Sequence, residues 1–447
     1  MTLVEGVRRR VLGFVVPLYM RWRNRRGGGA LDITEILPDE ALMPLRRVGV
    51  DPVAELGELR DREPVSALNA PYGIRAWLVT GYEESKAVLT ATDAFSNDFT
   101  HLVGRLGITA EQDPGGLGFA DPPDHTRLRR FLTPEFTVRR LRRLAPRIEA
   151  IVEGQLDVMA ETVANGGRAD LVRDFALPIP SLAICELLGV RYEDRGDFER
   201  LSTARFDLLG GFSGSFGAMS ESVGYLLEVV AKEREDPGDG LLGMLVREHG
   251  DEIDDREMAG IADGLLTGGL ETTTSMLALG GLVVMRDEAL RASLLADEAA
   301  PDKLVEELLR IITPVQVAFP RFARTETTVG GKTILPGDVV LCSLSAADRD
   351  PRIGEDMDGV DAARKVPPHL AFGYGIHRCV GAELARMELR TAYPALIRRF
   401  PEIRAAATDA ELPYRPLSFV YGVDALPVEL GTAAPVPAPA AAPVEPA

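Results

Sequence analysis

The residue whose setting most favours chemistry is Cys379, which lies in a glycine-punctuated loop. The segment that follows, residues 382–389, contains no helix breaker and predicts a helix. A helix N-terminus offers free N–H groups and the positive end of the helix dipole, which should lower the pKa of a nearby thiol. From its type and position alone, Cys379 could be a nucleophile, a redox sensor or a metal ligand.

The spacing around this cysteine narrows the choice. The pattern Phe372-x-x-Gly375-x-His377-x-Cys379-x-Gly381 resembles the haem-ligand loop of the cytochrome P450 family, with every signature position present. The resemblance implies that Cys379 is the axial thiolate ligand to the iron of haem b (iron protoporphyrin IX), a ligand that favours O–O cleavage. It also implies that Gly375 and Gly381 let the backbone turn beneath the porphyrin, and that His377 meets a propionate. A buried cysteine in an ordinary loop is the alternative, which the length of the pattern disfavours.

Residues 255–285 predict a buried central helix about 45 Å long, because the span is apolar on nearly every face. Within it, Gly268 and Gly269 are followed by Glu271 and Thr272, a pattern that resembles the oxygen-binding groove of the same family. The resemblance implies that the glycines make room for dioxygen, that Thr272 hydrogen-bonds to it and that Glu271 relays protons. A transmembrane helix is the alternative, which acidic residues in the span disfavour at about 3 kcal/mol each.

Two further segments carry residues that resemble the family's propionate ligands. His125 and Arg129 are four residues apart and should share one helix face. Taken alone, such a pair is more often a solvated surface pair, but with the Cys379 loop the resemblance implies a propionate site. Arg321 resembles the strand arginine that binds a propionate, and Arg324 is the less favoured candidate for that role.

Glu307 and Arg310 form a Glu-x-x-Arg motif on one helix face. Such pairs are common and usually lie on the surface, where they contribute little stability. The resemblance instead implies a buried scaffold beneath the haem-ligand loop. The chain has Gly359 and Val360 where the family has an arginine and a phenylalanine, so the third partner of the pair is missing from its place. Two arginines are candidates to replace it: Arg349 and Arg364.

The remaining expectations concern substrate and electron donor. The candidate pocket residues indicate a small, largely apolar organic substrate; they are Leu265, Val317, Phe319 and Phe419. Because the chain carries no reductase segment, we expect electrons from an external, acidic ferredoxin-type donor. A cluster of arginines in an acidic chain would steer such a donor, unless nearby carboxylates neutralise it: Arg127, Arg130, Arg139, Arg140, Arg142, Arg143 and Arg147.

Composition bounds the rest. The net charge of −18 argues against nucleic-acid binding, and three distant cysteines fit neither a disulfide framework nor a zinc cluster, so we expect a cytoplasmic protein. Residues 1–30 are basic and apolar, and predict a tail or, less favourably, a peripheral membrane anchor. Residues 431–447 are rich in Ala and Pro and predict a disordered tail.

The sequence therefore predicts a mainly α protein with a small β-sheet region, the cytochrome P450 fold, in one large domain over residues 31–430 and as a monomer. The expected activity is that of a haem-thiolate monooxygenase, which inserts one atom of O2 by hydroxylation or epoxidation. A peroxide-driven enzyme of the same fold is an alternative, which the intact Glu271 and Thr272 pair disfavours. A non-catalytic haem-binding protein is the second alternative.

Overall fold

A computed structural model describes residues 39–69, 74–98, 117–190, 212–365 and 368–432. Within residues 212–221 it describes the backbone only. The predicted segment at 1–30 lies outside the described residues, as does nearly all of the predicted tail at 431–447. Among the described residues, no helix combines the length and hydropathy needed to cross a bilayer.

Helices dominate the described chain. In order they are α1 (Asp39–Leu42), α2 (Ala54–Arg62), α3 (Tyr82–Thr90), α4 (Asp124–Leu132), α5 (Val138–Leu141), α6 (Ala145–Ala164), α7 (Pro178–Leu188), α8 (Phe212–Glu235), α9 (Leu241–His249), α10 (Asp255–Arg286), α11 (Glu288–Leu294), α12 (Ala300–Ile312), α13 (Leu344–Ala347) and α14 (Ala382–Arg399). Apolar side chains from α4, α6, α7, α9 to α12 and α14 belong to one continuous core, as the prediction of a single large domain requires.

The strands are short. They are β1 (Arg47–Val48), β2 (Asp51–Pro52), β3 (Val65–Asn69), β4 (Arg75–Val79), β5 (Phe95–Ser96), β6 (Ala169–Asp170), β7 (Arg321–Ala323), β8 (Thr327–Val329), β9 (Lys332–Ile334), β10 (Val339–Cys342), β11 (Arg404–Ala405) and β12 (Pro427–Glu429). The largest sheet has the order β3-β4-β10-β7-β5, in which β10 runs parallel to β4 and the other pairs are antiparallel. A second apolar cluster packs beneath this sheet. The predicted fold class, mainly α with a small β region, is confirmed.

The central helix is α10, and its observed bounds agree with the predicted span 255–285 to within one residue. It begins at a capping box: the Glu257 backbone N–H donates to Asp254 Oδ1 at 2.8 Å, and the Asp254 N–H donates to Glu257 Oε2 at 3.2 Å. Most of its side chains are buried against α7, α8 and α14, as the all-round apolar sequence predicted. This packing fixes the position of α10, and therefore the positions of the site residues that it carries.

Candidate active site

One strip of α10 is open while most of the central part of the helix is buried. Gly264 and Gly268 are exposed, and a Cβ atom added at either would meet no atom within 4 Å. Thr272 follows one turn later, and its hydroxyl donates to the Gly268 carbonyl at 2.6 Å. Gly269 instead faces α7, where a Cβ would lie 3.3 Å from Ile184, so its small size serves helix packing. The sequence analysis missed Gly264, whose signal was its spacing of one helical turn before Gly268.

Glu271 is buried and is paired with an arginine that the sequence analysis missed. The carboxylate is only 1% exposed and forms an ion pair with Arg415, which lies 144 positions later in the chain. Arg415 Nε also donates to Asp424 Oδ1 at 2.6 Å. A buried acid on the central helix is therefore joined to a surface acid through one guanidinium group.

The Cys379 loop meets α14 as predicted, since that helix begins at Ala382. The Cys379 N–H donates to the Phe372 carbonyl at 2.9 Å, which closes the loop. The side chain is exposed, yet protein atoms crowd the sulfur, and this burial raises the pKa of the Cys379 thiol despite the Gly381 N–H and the Arg129 charge. The expectation of a lowered pKa was wrong for the thiol as it stands, because desolvation outweighs the helix terminus.

The glycines of this loop differ in backbone conformation and in whether a side chain would fit. Gly375 has φ of +72°, and a Cβ there would lie 2.5 Å from the Leu89 carbonyl oxygen of α3, so only glycine fits. Gly373 also has a positive φ, of +67°, and was not singled out from the sequence. Gly381 has an ordinary φ of −82°, and a Cβ there would lie 3.9 Å from Cys379 Sγ. The backbone turn therefore depends on Gly373 and Gly375 more than on Gly381.

Phe372 packs against a charged cluster behind the loop. The Arg386 guanidinium lies 4.6 Å from the centre of the Phe372 ring. Arg386 Nε donates to Glu306 Oε1 at 2.6 Å, and His369 Nε2 lies 3.1 Å from the second oxygen of Glu306. Burial disfavours the Glu306 charge, but His369 and Arg386 outweigh it and lower its pKa to about 2. This cluster fixes the start of the loop.

Basic side chains from three distant segments converge beside the loop. The rings of His125 and His377 lie 4.2 Å apart, and His125 is 2% exposed with no hydrogen-bond partner on either ring nitrogen. Arg321 is 5% exposed, and the hydrogen bond seen for it is to the Phe319 carbonyl at 2.8 Å. Arg129, half-buried, is close enough to both histidines and to Cys379 to interact with them electrostatically.

The electrostatics of this cluster indicate an anionic ligand. Burial, together with the neighbouring cations, lowers the pKa of His125 and lowers that of His377 to about 3. Burial also lowers the pKa values of Arg129 and Arg321. Asp121 opposes the shifts of His125, His377 and Arg321, and its carboxylate is already bound by Arg324 and Ser96. Four basic groups thus face one shared space with too little negative charge to match them.

Comparison with known proteins agrees with this geometry. A profile described as Cytochrome P450 matches residues 71–236 and 301–420. The chain belongs to the cytochrome P450 family. The curated relative Cytochrome P450 FAS1 of Rhodococcoides fascians is 38% identical over 391 residues, which cover 86% of this chain and 97% of that protein. Mycinamicin IV hydroxylase/epoxidase of Micromonospora griseorubida is 37% identical over 384 residues, covering 85% of this chain and 96% of the relative.

Solved structures give the same result for the P450 fold. OxyC, a P450 implicated in an oxidative C–C coupling reaction during vancomycin biosynthesis, has a TM-score of 0.77 and 36% identity, covering 88% of this chain and 98% of that chain. The mycinamicin VIII hydroxylase MycCI of Micromonospora griseorubida has a TM-score of 0.80 and 32% identity, covering 86% and 98%. The chain is therefore a haem-dependent P450 monooxygenase, an oxidoreductase, as the sequence predicted.

The residues of this P450 fit the haem group that the family implies. Buried ring nitrogens of His125 lack partners, and a propionate oxygen is the kind of acceptor that would provide one. Arg129, Arg321 and His377 add positive charge at the same place. The open strip of α10 leaves space for a flat ligand, and Cys379 offers a thiol on an exposed residue.

The Glu-x-x-Arg pair of this P450 is buried rather than superficial. Glu307 and Arg310 are 1% and 0% exposed and share two hydrogen bonds, of 2.7 and 2.9 Å. Arg310 also donates to three backbone carbonyls, those of Asp348, Met357 and Gly359. The two candidate third partners differ: Arg364 Nε donates to Glu307 Oε1 at 3.1 Å, whereas Arg349 pairs with Asp51. Arg364 therefore occupies the third position of the scaffold.

The four predicted pocket residues have unequal exposure. Leu265 and Val317 are buried, and Phe419 is half-buried, with its carbonyl accepting from the Gln316 N–H at 3.1 Å. Phe319 is 50% exposed and its ring centre lies 4.8 Å from that of Phe119. Phe319 is thus part of an accessible aromatic pair rather than of the closed core.

Most of the predicted arginine patch is neutralised in the structure. Five of its members have carboxylate partners within the described chain: Arg127 with Glu257, Arg130 with Glu252, Arg140 and Arg143 with Glu135, and Arg147 with Glu186. Arg139 and Arg142 are exposed, and no carboxylate of the described residues lies within ion-pair distance of them. The net positive patch is therefore smaller than the sequence indicated.

Proposed function

We propose that the Cys379 thiolate of this P450 monooxygenase would hold haem b, and that the enzyme oxidises a small, largely apolar organic molecule beside the open strip of α10. The observation that carries this proposal is the cluster of buried basic groups, with His125 unpartnered, beside the cysteine loop. Bound haem supplies the activation of dioxygen, and a thiolate ligand favours cleavage of the O–O bond.

The residues of the chain have distinct roles in this proposal. His125, Arg129, Arg321 and His377 bind the two propionates by charge-assisted hydrogen bonds. Gly268 leaves room for dioxygen beside the helix. The raised pKa of the free thiol does not oppose the assignment, because coordination to a metal deprotonates a thiol outright.

In this proposal, Thr272 and Glu271 deliver the protons that the reaction consumes. Thr272 can donate its hydroxyl proton toward dioxygen once it releases the Gly268 carbonyl. Glu271 replenishes that proton, and Leu265 and Phe419 exclude water from the substrate side. The names of relatives in the family include a hydroxylase/epoxidase, and we propose hydroxylation or epoxidation for this chain as well.

The iron ligand is tested by spectroscopy of the haem-loaded protein. The reduced protein exposed to carbon monoxide should show the absorption typical of thiolate-ligated haem, and Cys379→Ser should lose it. Cys185→Ser is the matched control, because Cys185 also forms no disulfide but is buried on α7. An unchanged spectrum in Cys379→Ser would contradict the proposal.

The role of Thr272 separates a monooxygenase from a peroxide-driven enzyme. With an external electron donor, Thr272→Ala should divert reducing equivalents to free peroxide, because proton delivery slows. Thr274→Ala is the control, since the buried Thr274 hydroxyl has no partner to lose. Equal turnover by Thr272→Ala and the unaltered enzyme would favour the peroxide-driven alternative.

We propose an acidic, ferredoxin-type protein as the electron donor, and the exposed Arg139 and Arg142 as its contacts. Reversing both charges should slow reduction by such a donor at low salt, and added salt should diminish the difference. The exposed Arg62 lies outside this segment, and Arg62→Glu is the control. Equal reduction rates at low salt would refute this surface. None of the three cysteines forms a disulfide, which suits the reducing cytoplasm that we propose as the location of the protein. We also propose that it is a monomer, and size-exclusion chromatography should give the corresponding mass.

A further inference from the structure

We propose that the buried ion pair of Arg386 and Glu306, which lies behind Phe372 of the cysteine loop, sets the reduction potential of the bound haem iron. Arg386 favours the reduced state, and Glu306 opposes it. The inference rests on the proposed function, because it assumes that Cys379 is the iron ligand. It makes Arg386 a positioning residue, since Arg386 acts on the iron through its charge and through the loop.

The Arg386 guanidinium is held in one orientation by two acids. Its Nε and Nη2 atoms donate to the two oxygens of Glu306, at 2.6 and 2.9 Å. Its Nη1 atom donates to Glu383 Oε1 at 2.8 Å. Arg386 is 9% exposed and Glu306 is 7% exposed. The two-point contact fixes where the positive charge lies, and the low exposure means that solvent screens it little.

The same guanidinium lies against the cysteine loop. It is 4.6 Å from the centre of the Phe372 ring, a distance typical of a cation–π contact. The Phe372 carbonyl in turn accepts the Cys379 N–H at 2.9 Å. One residue therefore joins the Arg386 charge to the proposed iron ligand, because its ring packs against the arginine and its backbone closes the loop.

His369 gives this cluster a hydrogen bond but no charge. Its Nδ1 atom accepts the Ala371 N–H at 3.2 Å, which a protonated ring could not do. The ring proton therefore lies on Nε2, which faces Glu306 Oε2 at 3.1 Å. Burial disfavours the Glu306 charge, but His369 and Arg386 lower its pKa to about 2, so Glu306 is ionised at neutral pH. The charges directly behind Phe372 are thus one cation and one anion, those of Arg386 and Glu306.

Other arginines near the sulfur are less suited to this role. Burial raises the pKa of the Cys379 thiol, and three arginine charges oppose that effect: Arg129, Arg378 and Arg386. Arg129 belongs to the propionate cluster, where the bound propionates would neutralise it. Arg378 is exposed, so solvent and salt screen its charge. Of the three, Arg386 is the one buried behind the loop.

The direction of the effect follows from the sign of each charge. Reduction of the iron adds one negative charge to the haem group, so a nearby cation favours the reduced state and a nearby anion disfavours it. Within the ion pair these two effects oppose each other. Removal of one member should therefore reveal the effect of the other.

Two substitutions made in sequence should shift the potential in opposite directions. Glu306→Gln removes the anion and keeps an oxygen that can accept from Arg386, so the equilibrium constant for one-electron reduction should rise severalfold. Adding Arg386→Met to that variant removes the cation and keeps an aliphatic side chain against Phe372, so most of the rise should be lost. The second step starts from Glu306→Gln because no buried carboxylate is then left to take up a proton and mask the change.

The measurement is a redox titration of the haem-loaded protein against dyes of known potential, without substrate or electron-donor protein. Arg399→Met is the matched control, because Arg399 is a mostly buried arginine of the same helix that pairs with Asp157 at 2.8 Å. It lies about 20 Å along α14 from Arg386, well beyond the screening length at physiological salt, so its loss should leave the potential unchanged. Arg386→Lys keeps the charge, and its potential should stay near that of the unaltered protein.

The infrared spectrum of the carbon monoxide complex provides a second readout. A thiolate beside an unopposed cation donates less electron density to iron, so less reaches the bound carbon monoxide. The C–O stretching frequency should therefore rise in Glu306→Gln and fall back in Glu306→Gln/Arg386→Met. An unchanged or lowered frequency in Glu306→Gln would overturn the proposal.

A merely structural role gives a different pattern. If the ion pair only holds the loop in place, the two steps shift the potential in the same direction or not at all, and either result overturns the proposal. Glu306→Gln alone decides the sign where the double variant fails to bind haem, since an unchanged or lowered potential would also overturn it. Failure of the proposed function is recognised separately, because the unaltered protein would then lack the carbon monoxide absorption of thiolate-ligated haem.

Discussion

Glu388 provides the most direct test of the packing around the haem-ligand helix. It lies on α14, nine residues after Cys379, is 3% exposed, and its Oε2 atom has no hydrogen-bond partner. Burial raises the pKa of Glu388 from 4.5 to about 8. The folded protein should therefore keep this carboxyl group protonated under conditions where the unfolded chain ionises it.

The sign of the stability effect follows from this shift. Below about pH 4.5 the group is protonated in both states and has no effect. Between pH 4.5 and pH 8 the unfolded chain releases a proton that the folded protein retains, so stability falls as pH rises. At pH 7, the 2.5 units above the unfolded pKa correspond to about 3 kcal/mol, and at pH 5 the cost is about 1 kcal/mol.

Glu388→Gln removes the titration and keeps the shape of the side chain. We expect the free energy of unfolding of the variant, relative to the unaltered protein, to rise by about 2 kcal/mol between pH 5 and pH 7. Denaturant unfolding at a series of pH values measures this difference, with Glu298→Gln as control because Glu298 is exposed. A constant offset between the two proteins across this range would refute the assignment of a carboxyl group that burial keeps protonated.

Three further predictions follow from contacts near the site. Arg364→Met should lower the free energy of unfolding by about 1–3 kcal/mol, because Glu307 loses a buried hydrogen bond; an unchanged denaturation midpoint would exclude Arg364 from the scaffold. His125→Phe should speed haem transfer to apomyoglobin while the haem-free protein keeps its stability, since the imidazole has no hydrogen bond to lose and phenylalanine can keep the ring contact with His377; equal transfer rates would count against a propionate contact. Gly375→Ala should impair folding through its positive φ, whereas Gly264→Ala, which has open space, should fold normally; thermal melts of both variants compare them, and equal melting temperatures would contradict this distinction.

Local spacing along the chain was enough to predict the elements that hold the site. The glycine, histidine and cysteine positions of the Cys379 loop are set within a few residues, so their pattern could be read without knowledge of the fold. The central helix was predicted to within one residue because its apolar character is also a local feature.

The tertiary structure decided which charges meet and which are buried. Glu271 and Arg415 lie 144 residues apart, and no short-range pattern relates them. Burial of the Glu307 and Arg310 pair, and the choice of Arg364 over Arg349 as its partner, depend on how distant segments pack. The pKa of the Cys379 thiol likewise depends on desolvation by the whole fold, which reversed the shift expected from its place before a helix. Sequence spacing therefore determines which reactive groups lie within a few residues of one another. Burial and the pairing of distant charges arise only when the chain is packed.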